Sequence, residues 1–300
     1  MTKTVACLAG DGVGPELMAA ATRTLDRVAA LHNFDLDDRH LPFAGEAVTR
    51  SGHALPAATR AGYREADAIL VASPHEPAFA GVKADLQLAW RIVRVHVDAS
   101  HDLVVAGPVD EWANRTAVAH ALACAASRRG RIVCVGDSPA WREAVTAESA
   151  GWNGLEIEEL TLGETLIRLR EQPASLDVVV TETHLIDAIV DSAAAFAGSH
   201  ASIAQAWLPD EGPGVFAPGR TAPDDVAGFG VVDPMGMLLA TSLMLAEGLK
   251  RRSASRTLER AVGNAHRAKK GEHTREFTDA VIALLPEART DVEHFDEVWR

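Results

Sequence analysis

The stretch DVVVTETHLIDAIVDSAAAFAGS, residues 177–199, decides the fold class. It begins with a short run rich in valine, which is typical of a buried β-strand. It continues with apolar residues at helical spacing, among which Asp187 and Asp191 stand four residues apart, with His184 one turn earlier. This spacing places both carboxylates on one side of a helix that is otherwise apolar and is therefore expected to be buried. The stretch thus predicts a strand that leads directly into a helix with paired carboxylates.

The alternation of strand and helix continues on both sides of this stretch. Short apolar runs that end at Gly, Pro or Asp predict further strands at 4–9, 66–74, 91–98, 102–108 and 131–139. Apolar residues at helical spacing predict helices at 15–31, 114–130, 233–249, 254–269 and 275–287. Because strands and helices alternate, we expect an α/β protein with a largely parallel sheet. The run 233–249 is apolar almost all round, which predicts a helix in the core or at a dimer interface.

The composition excludes several classes of protein. The 300 residues are 47% hydrophobic, which is enough for a large core in two lobes. The net charge of −13 argues against nucleic-acid binding, because phosphate contacts need clustered Lys and Arg. We expect no membrane segment, because no run is long and apolar enough to span a bilayer. The three cysteines lack CxxC spacing and indicate a cytoplasmic protein rather than a disulfide framework or a zinc site.

Two glycine-rich segments interrupt the regular pattern. The first, GDGVG at residues 10–14, does not match the GxGxxG spacing of dinucleotide-binding turns, so we interpret it as a tight turn between strand and helix. The second, LPDEGPGVFAPGRTAPDD at residues 208–225, is predicted to be one long loop. Loops of this length are often functional, which makes the second segment a candidate part of the site.

Four segments, in order along the chain, resemble the isocitrate/isopropylmalate dehydrogenase family, the β-decarboxylating hydroxyacid dehydrogenases. LAGDGVGPELM (8–18) resembles the family's opening PGDGIGPEV, and residues 177–199 resemble DVIVTxNxFGDILSDxAxxLxGS. FAPGRTAPDDVAGFGVVDP (216–234) is similar to EPVHGSAPDIAGKGIANP, and GEHTREFTDAV (271–281) is similar to GTxEFTxxV. The likeness covers nearly the whole chain.

The resemblance implies an isocitrate/isopropylmalate dehydrogenase-like two-domain fold with central sheets flanked by helices. The large α/β domain would comprise residues 1–96 and 207–300, and the smaller, dimer-forming α/β domain would comprise residues 97–206. A small molecule would bind in the cleft between the domains of a homodimer. In that family a divalent metal chelates a 2-hydroxy acid, NAD(P) accepts hydride, and arginines hold the carboxylates of the substrate.

The paired carboxylates acquire a role through this resemblance. Asp187 and Asp191 match the metal-binding aspartates of the family, and carboxylate oxygens suit Mg²⁺ or Mn²⁺. His184 is an additional candidate ligand for the metal. The alternative is that one aspartate caps the helix while the other is merely solvated. The third metal-binding aspartate of the family, which the partner subunit supplies, falls at Gly163.

The departures from the family are concentrated at the catalytic positions, so the resemblance implies a divergent member with a degenerate active site. In VGDSPA the family's catalytic lysine position is Ser138, while the preceding Asp137 is retained. A serine hydroxyl cannot replace an ammonium group as proton donor near neutral pH. The catalytic tyrosine is missing as well, since Tyr63 is the only tyrosine and lies far from that motif.

The positions that bind the substrate and the cofactor are also altered. Of the three arginines that hold the substrate, only Arg91 is retained; the others fall at Gly81, where Lys83 is a stand-in, and at Gly107. A lysine does not reproduce the planar, two-pronged contact of arginine with a carboxylate. The set of further candidates comprises His75 for the substrate and, for the cofactor, Arg220, Asp225, Gly228 and Asp233. Trp90 is either a cleft wall or an ordinary core residue.

Two functions remain open at this stage. The first is a protein that has lost the classical NAD-dependent oxidative decarboxylation, as a pseudoenzyme or a repurposed family member. The second is an active, metal-dependent NAD(P) oxidoreductase that acts on an unusual, less charged 2-hydroxy acid. The loss of several groups, each worth about 10²–10⁴-fold in rate, favours the first.

Overall fold

The computed structural model describes residues 2–74, 77–97, 101–198, 202–219, 224–271 and 273–286. The predicted substrate residue His75 and the predicted cofactor residue Arg220 lie outside these ranges. Ten strands form one sheet: β1 (Lys3–Leu8), β2 (Leu36–His40), β3 (Ala68–Val71), β4 (Trp90–His96), β5 (Asp102–Pro108), β6 (Arg131–Val135), β7 (Glu156–Leu160), β8 (Val178–Thr181), β9 (Ile203–Leu208) and β10 (Gly214–Pro218).

Eleven α-helices flank the sheet in the described residues. They are α1 (Gly14–Leu31), α2 (Ala44–Ser51), α3 (Ala57–Arg64), α4 (Ala78–Asp85), α5 (Asn114–Ala126), α6 (Pro139–Ser149), α7 (Leu162–Glu171), α8 (Ile186–Ala197), α9 (Met235–Leu243), α10 (Arg252–Arg267) and α11 (Thr274–Leu284). A π-helical turn, Met244–Gly248, follows α9 directly. None of the described helices is long and apolar enough to cross a membrane. The α/β class predicted from the alternating pattern is confirmed.

The strand order is β2-β1-β3-β10-β9-β4-β5-β8-β6-β7. The outer strands pair in parallel on both sides, but the three central pairs, β10 with β9, β9 with β4 and β4 with β5, are antiparallel. The expectation of a largely parallel sheet is therefore correct for the outer strands and wrong for the centre. The reason is that β4–β5 is a hairpin and β9–β10 a second short connection, neither of which needs a crossover helix.

The segment 208–225, which we expected to be one loop, is a further correction. It contains β10, all five residues of which are buried between β3 and β9. The strand is short and is flanked by Gly and Pro on both sides, so its apolar centre of three residues gives little periodic signal. The tight turn predicted at residues 10–14 is confirmed: Gly10 and Gly12 have φ of 74° and 60°, in the left-handed region that favours glycine.

The hydrophobic core is divided differently on the two faces of the sheet. On one face a single cluster runs across the whole sheet, from Val5 on β1 to Ile132 on β6, under α1, α5, α9, α10 and α11. On the other face there are two clusters, one under α7 and α8 and one under α2, α3 and α4. Because residues alternate between faces along a strand, the same strands contribute to both faces. The gap between the two smaller clusters lies over the central antiparallel strands and is called the cleft below.

The sequence predicts that residues 233–249 form a helix in the core or at a dimer interface, and α9 confirms the prediction of a core helix. All nine of its residues are buried against β9, β10, α1 and α10. It therefore supports the continuous face of the sheet.

Candidate active-site cleft

Polar side chains interrupt the apolar pattern of β4 and β9 at the gap between the two smaller clusters. Arg91 on β4 pairs in register with Trp207 on β9, and Gln205 lies two residues earlier on the same face. On either side the same face is apolar, with Val93 belonging to one cluster and Trp207 to the other. The predicted substrate arginine therefore lies in the cleft. Trp90 points to the opposite face and is a core residue, not a cleft wall.

The contacts of Arg91 fix its guanidinium group in this gap. Nη2 donates to Gln205 Oε1 at 2.7 Å, and Nη1 forms a 2.9 Å ion pair with Asp187 Oδ1. The guanidinium carbon lies 5.6 Å from the centre of the Trp207 ring, at the distance of a cation–π contact. Nε is buried and has no hydrogen-bond partner among the described residues. The only retained arginine of the predicted set is thus paired with a carboxylate of its own chain.

Helix α8 is amphipathic rather than fully buried, which corrects the sequence interpretation. Its buried residues are Ile186, Ile189, Val190, Ala193 and Ala194. Asp187 and Asp191 lie together on the exposed side, and the Asp187 side chain is 73% exposed. The N-cap position is Leu185, so neither aspartate caps the helix in the way that the alternative interpretation required. The several alanines of the exposed side made the run look more apolar than its packing is.

The residues present in one chain make only part of a metal site. Asp187 and Asp191 supply two carboxylates on one face of α8, but Asp187 is already bound to Arg91. His184 is exposed, in a 3₁₀ turn just before the helix. Over the ranges that the structure describes, no group of three or more His, Cys, Asp or Glu side chains could hold a metal ion. A hard divalent cation prefers six or more oxygen ligands, so the single chain does not fit a complete site.

The position of the missing third arginine is physically blocked. Gly107 on β5 lies opposite Arg91 on β4. A Cβ atom at Gly107 would lie 2.4 Å from the backbone oxygen of Thr181 and 2.7 Å from Cδ1 of Ile186. Ile186 stands where the family segment DVIVTxNxFGDILSDxAxxLxGS has a glycine. An apolar side chain therefore packs where the family pattern implies an arginine.

Asp137 and Ser138 follow β6, at the edge of the sheet where β5 and β8 also end. Ser138 is the N-cap of α6, and its Oγ accepts a hydrogen bond from Trp141 N at 3.2 Å. The Asp137 side chain is exposed, and its backbone N–H donates to Glu182 Oε2 at 2.9 Å. The structure therefore gives Ser138 a clear role in helix capping, and it places no described acid or base in contact with the Ser138 hydroxyl.

Replacement of Ser138 by Ala is expected to lower the free energy of unfolding by about 1 kcal/mol, because the first turn of α6 loses its capping acceptor. Urea denaturation followed by circular dichroism measures the difference. Ser192→Ala on α8 is the matched control, because Ser192 lies inside the helix and its Oγ donates to Ala188 O instead of capping the first turn. Equal effects of the two substitutions would contradict the capping role.

Tyr63 lies on α3 and Lys83 on α4, the helices over the smaller cluster that contains Trp207. Tyr63 is fully buried in the cluster under α2, α3 and α4, and its hydroxyl donates to Asp85 Oδ2 at 2.6 Å. Burial and that hydrogen bond raise the pKa of the Tyr63 hydroxyl above its ordinary value. Tyr63 is therefore a poor proton donor at neutral pH. Lys83 lies with Nζ 5.1 Å from the Phe79 ring and lines a surface cavity with Trp112. The role of Lys83 as a stand-in for arginine remains a prediction.

The predicted cofactor residues in the described part of the chain are exposed. Asp225 lies in a 3₁₀ turn, and Gly228 has φ of 80° with open space where a side chain would be. Asp233 Oδ1 accepts from Met235 N at 2.8 Å and so stabilises the start of α9. The capping contact is an additional role that the sequence comparison did not reveal.

A cavity of about 770 Å³ opens beside the start of α9. Met235 and Ser202 line one part of it, and α10 lines the other. Its charged lining combines carboxylates and several cations: Arg94, Asp102, Arg256, Glu259, Arg260 and Arg267. Asp102 and Glu259 are occupied by Arg94, at 2.5 Å and 2.6 Å. The arginines of α10 therefore leave this cavity with a positive balance.

Three contributors to the cleft were missed by sequence analysis. Gln205 and Trp207 hold Arg91, and the buried carboxylate of Glu182 organises the turn after β6. Gln205 in an otherwise apolar strand, Ile203–Leu208, was the available signal, because a polar residue inside a buried strand needs a partner. Glu182 directly after a valine-rich strand was a similar signal.

Known proteins match the chain over most of its length. The family model of isocitrate/isopropylmalate dehydrogenases matches residues 4–98 and 108–288. The 3-isopropylmalate dehydrogenase of Synechococcus sp. (strain CC9605) is 29% identical over 318 residues, covering 86% of this chain and 89% of the relative. That of Prochlorococcus marinus (strain MIT 9313) is 30% identical with the same coverage.

Solved structures share the fold at low sequence identity. Isocitrate dehydrogenase from Methylococcus capsulatus superposes with a TM-score of 0.82 at 17% identity, covering 94% of this chain and 99% of that one. The β-decarboxylating dehydrogenase from Thermococcus kodakarensis in its apo form gives a TM-score of 0.83 at 19% identity, with 99% of both chains covered. These structures share the fold, and the family model, which matches most of the chain, shows that the chain belongs to the isocitrate/isopropylmalate dehydrogenase family.

Proposed function

We propose that the chain retains the cleft of the family as a binding site for a small molecule but has lost the classical NAD-dependent oxidative decarboxylation. The observation that carries this proposal is the packing at Gly107. The position of a substrate arginine has no room for a side chain, and Ile186 fills the adjacent space. A cationic side chain at position 107 therefore requires a rearrangement of β8 and α8.

The electrostatics of the cleft support the same conclusion. Arg91 is the one retained arginine of the predicted substrate set, and Asp187 neutralises it at 2.9 Å. A substrate with two or three carboxylates would meet one occupied arginine and an apolar wall instead of three guanidinium groups. Desolvation of an unpaired carboxylate costs several kcal/mol, so a substrate with several carboxylates is poorly matched to this cleft. We infer that the cleft selects a ligand with less negative charge.

The residues considered as proton donors also support the proposed loss of oxidative decarboxylation. Ser138 caps α6, and Tyr63 is buried and bound to Asp85. Neither is suited to donate a proton to an enolate near neutral pH.

The alternative proposal is an active NAD(P)-dependent oxidoreductase for an unusual 2-hydroxy acid. The positive cavity beside α9 and α10 favours it, because phosphate groups of a cofactor pair with arginines. Under either proposal Asp187 and Asp191 would hold Mg²⁺ or Mn²⁺ only if a second chain or a ligand completes the oxygen set. We also propose a homodimer formed through residues 97–206, with the large domain built from 1–96 and 207–300, in the cytoplasm.

Turnover of 3-isopropylmalate and isocitrate with NAD⁺ or NADP⁺ and Mn²⁺ tests the first proposal. Two or more lost catalytic groups predict a rate at least about 10⁴-fold below that of a working relative. The 3-isopropylmalate dehydrogenase of Synechococcus sp., assayed in parallel, is the control. Turnover within a hundredfold of that control would overturn the proposal. Turnover of a less charged 2-hydroxy acid instead would establish the alternative.

A further inference from the structure

A second cavity, of about 420 Å³, lies on the continuous face of the sheet, on the side away from the cleft. It is bounded by Trp90 on β4, His120 on α5 and Glu247 in the π-helical turn after α9. Ile92 and Leu208 form part of its apolar lining. Its volume is within the range of small-molecule sites. None of the predicted catalytic, substrate, metal or cofactor residues lines it, although the segment 208–225 contributes Leu208 and Asp210.

The indole of Trp90 is the first sign that this cavity accommodates a ligand. Trp90 is 6% exposed, and its Nε1–H is buried without a hydrogen-bond partner among the described residues. Its ring stacks on His120 with the ring centres 4.5 Å apart and the planes nearly parallel. A buried donor that lacks a protein acceptor is costly, and beside a cavity it is satisfied by an acceptor that enters the cavity, either water or a polar ligand.

The backbone beside the cavity is unusual at two places. Met244–Gly248 is a π-helix, a rare form that is often found at functional sites. Lys250, two residues later, has φ of 57°, a left-handed conformation that is uncommon for lysine. Both features place Glu247 and Lys250 at the cavity within one short segment. Strain of this kind is retained when the surrounding structure, or a function, holds it.

The charges of the lining are balanced. Asp67, Asp210 and Glu247 supply three carboxylates, while Lys250 and Arg252 supply two cations. Asp67 is paired at 2.6 Å with Lys3, which lies outside the lining, so two carboxylates remain for the two cations. Glu247 and Lys250 are 4.0 Å apart, too far for a hydrogen bond, so both retain capacity for a ligand. Burial lowers the pKa of His120, so its imidazole is neutral at pH 7 and leaves the balance unchanged.

We propose that this cavity binds a small zwitterion with adjacent ammonium and carboxylate groups, that is, a free α-amino acid. The carboxylate accepts from the indole N–H of Trp90 and pairs with Lys250 or Arg252. The ammonium group donates to Glu247 or Asp210. The apolar surface of Ile92 and Leu208 takes the side chain.

The site lies directly behind the cleft. Trp90 and Arg91 are consecutive residues of β4, and consecutive strand residues point to opposite faces. An amino acid bound at Trp90 would therefore occupy the opposite face of the sheet one residue from the guanidinium group in the cleft.

Calorimetric titration of the full chain with each of the twenty L-amino acids tests the proposal, and the amide and N-acetyl forms of the best binder serve as single-charge controls. We expect at least one amino acid to bind, and both derivatives to bind about tenfold or more weakly, because each lacks one charge-assisted contact. The indole N–H resonance that disappears in Trp90→Phe should shift on binding in the wild-type protein.

Two pairs of variants separate the contacts from general stability. Trp90→Phe keeps a ring and removes the donor, with the 65% exposed Trp112→Phe as control. Glu247→Gln removes a carboxylate of the lining, with the exposed Glu143→Gln on α6 as control. Each lining variant should weaken binding about tenfold and each control should not. Failure of all twenty amino acids to bind at millimolar concentration, or equal affinities in lining and control variants, would overturn the proposal.

Discussion

Replacement of Asp102 by Asn is expected to lower the free energy of unfolding by about 3 kcal/mol, because it removes the carboxylate that the buried guanidinium groups of Arg94 and Arg128 share. Asp102 begins β5 and accepts from Arg94 Nε at 2.5 Å and from Arg128 at 3.1 Å. Arg94 and Arg128 also bind Glu259 and Asp177, so all five side chains form one network on the continuous face of the sheet. Chemical denaturation at pH 7 measures the effect.

The pH dependence of this effect follows from the same contacts. Burial on its own raises the pKa of Asp102, but Arg94 and Arg128 outweigh burial and hold that pKa far below its ordinary range. In the unfolded chain the pKa returns to about 3.9. The stabilisation is therefore present in full above about pH 5 and is lost progressively as the pH falls toward the lowered pKa. The difference between wild type and Asp102→Asn should shrink accordingly in acid.

The control is Asp37→Asn, which removes an exposed ion pair with Arg39 at 2.7 Å. Surface pairs of this kind contribute about 0–1 kcal/mol, so the control should be nearly neutral. A cost below about 1 kcal/mol for Asp102→Asn, or one that grows in acid, would show that the network does not carry the stability assigned to it.

How far the sequence predicts this molecule depends on whether a feature is local. The strand and helix of residues 177–199 were predictable because valine-rich runs and helical periodicity are local signals. Whether α8 was buried on all sides was not, because alanine is compatible with both core and surface. Strand β10 was missed since it is short and its burial comes from β3 and β9, which are distant in sequence.

The candidate site shows the same limit. The motif comparison alone predicts that Gly107 occupies an arginine position of the family and that Ser138 occupies its lysine position. What replaced the arginine and the lysine could not be predicted, since helix capping by Ser138 and the pairing of Arg91 with Asp187 need three-dimensional contacts. The packing of Ile186 against Gly107 joins residues 79 positions apart, and no local pattern marks it.

Gly107→Ala is expected to lower the free energy of unfolding by about 3 kcal/mol, although it adds only one methyl group. The new Cβ would lie 2.4 Å from the backbone oxygen of Thr181, and the paired strand cannot move away without disturbing the β5–β8 ladder. Overpacking in a well-packed core costs about 1–3 kcal/mol and occasionally more. Ile186→Gly is destabilising by itself, because Ile186 is buried. The double variant should nevertheless lose less stability than the sum of the two single variants, because the contact with Ile186 is gone and only the contact with Thr181 remains. Urea denaturation of the two single variants and the double variant measures both effects.

Gly81→Ala is the matched control, since Gly81 occupies the other lost arginine position. Its Cβ would lie 3.0 Å from Cδ2 of Leu55, the end of a flexible side chain that can move at little cost. Gly81 lies inside α4, where alanine is favoured over glycine by about 1 kcal/mol, so this substitution should be neutral or stabilising. If both glycines tolerated alanine equally, Gly107 would have room for a larger side chain, and the packing argument for the proposed loss of the family's substrate site would fail. A large cost at Gly107 alone means that the surrounding backbone has closed around the lost side chain, so restoring the arginine requires changes in β8 and α8 as well.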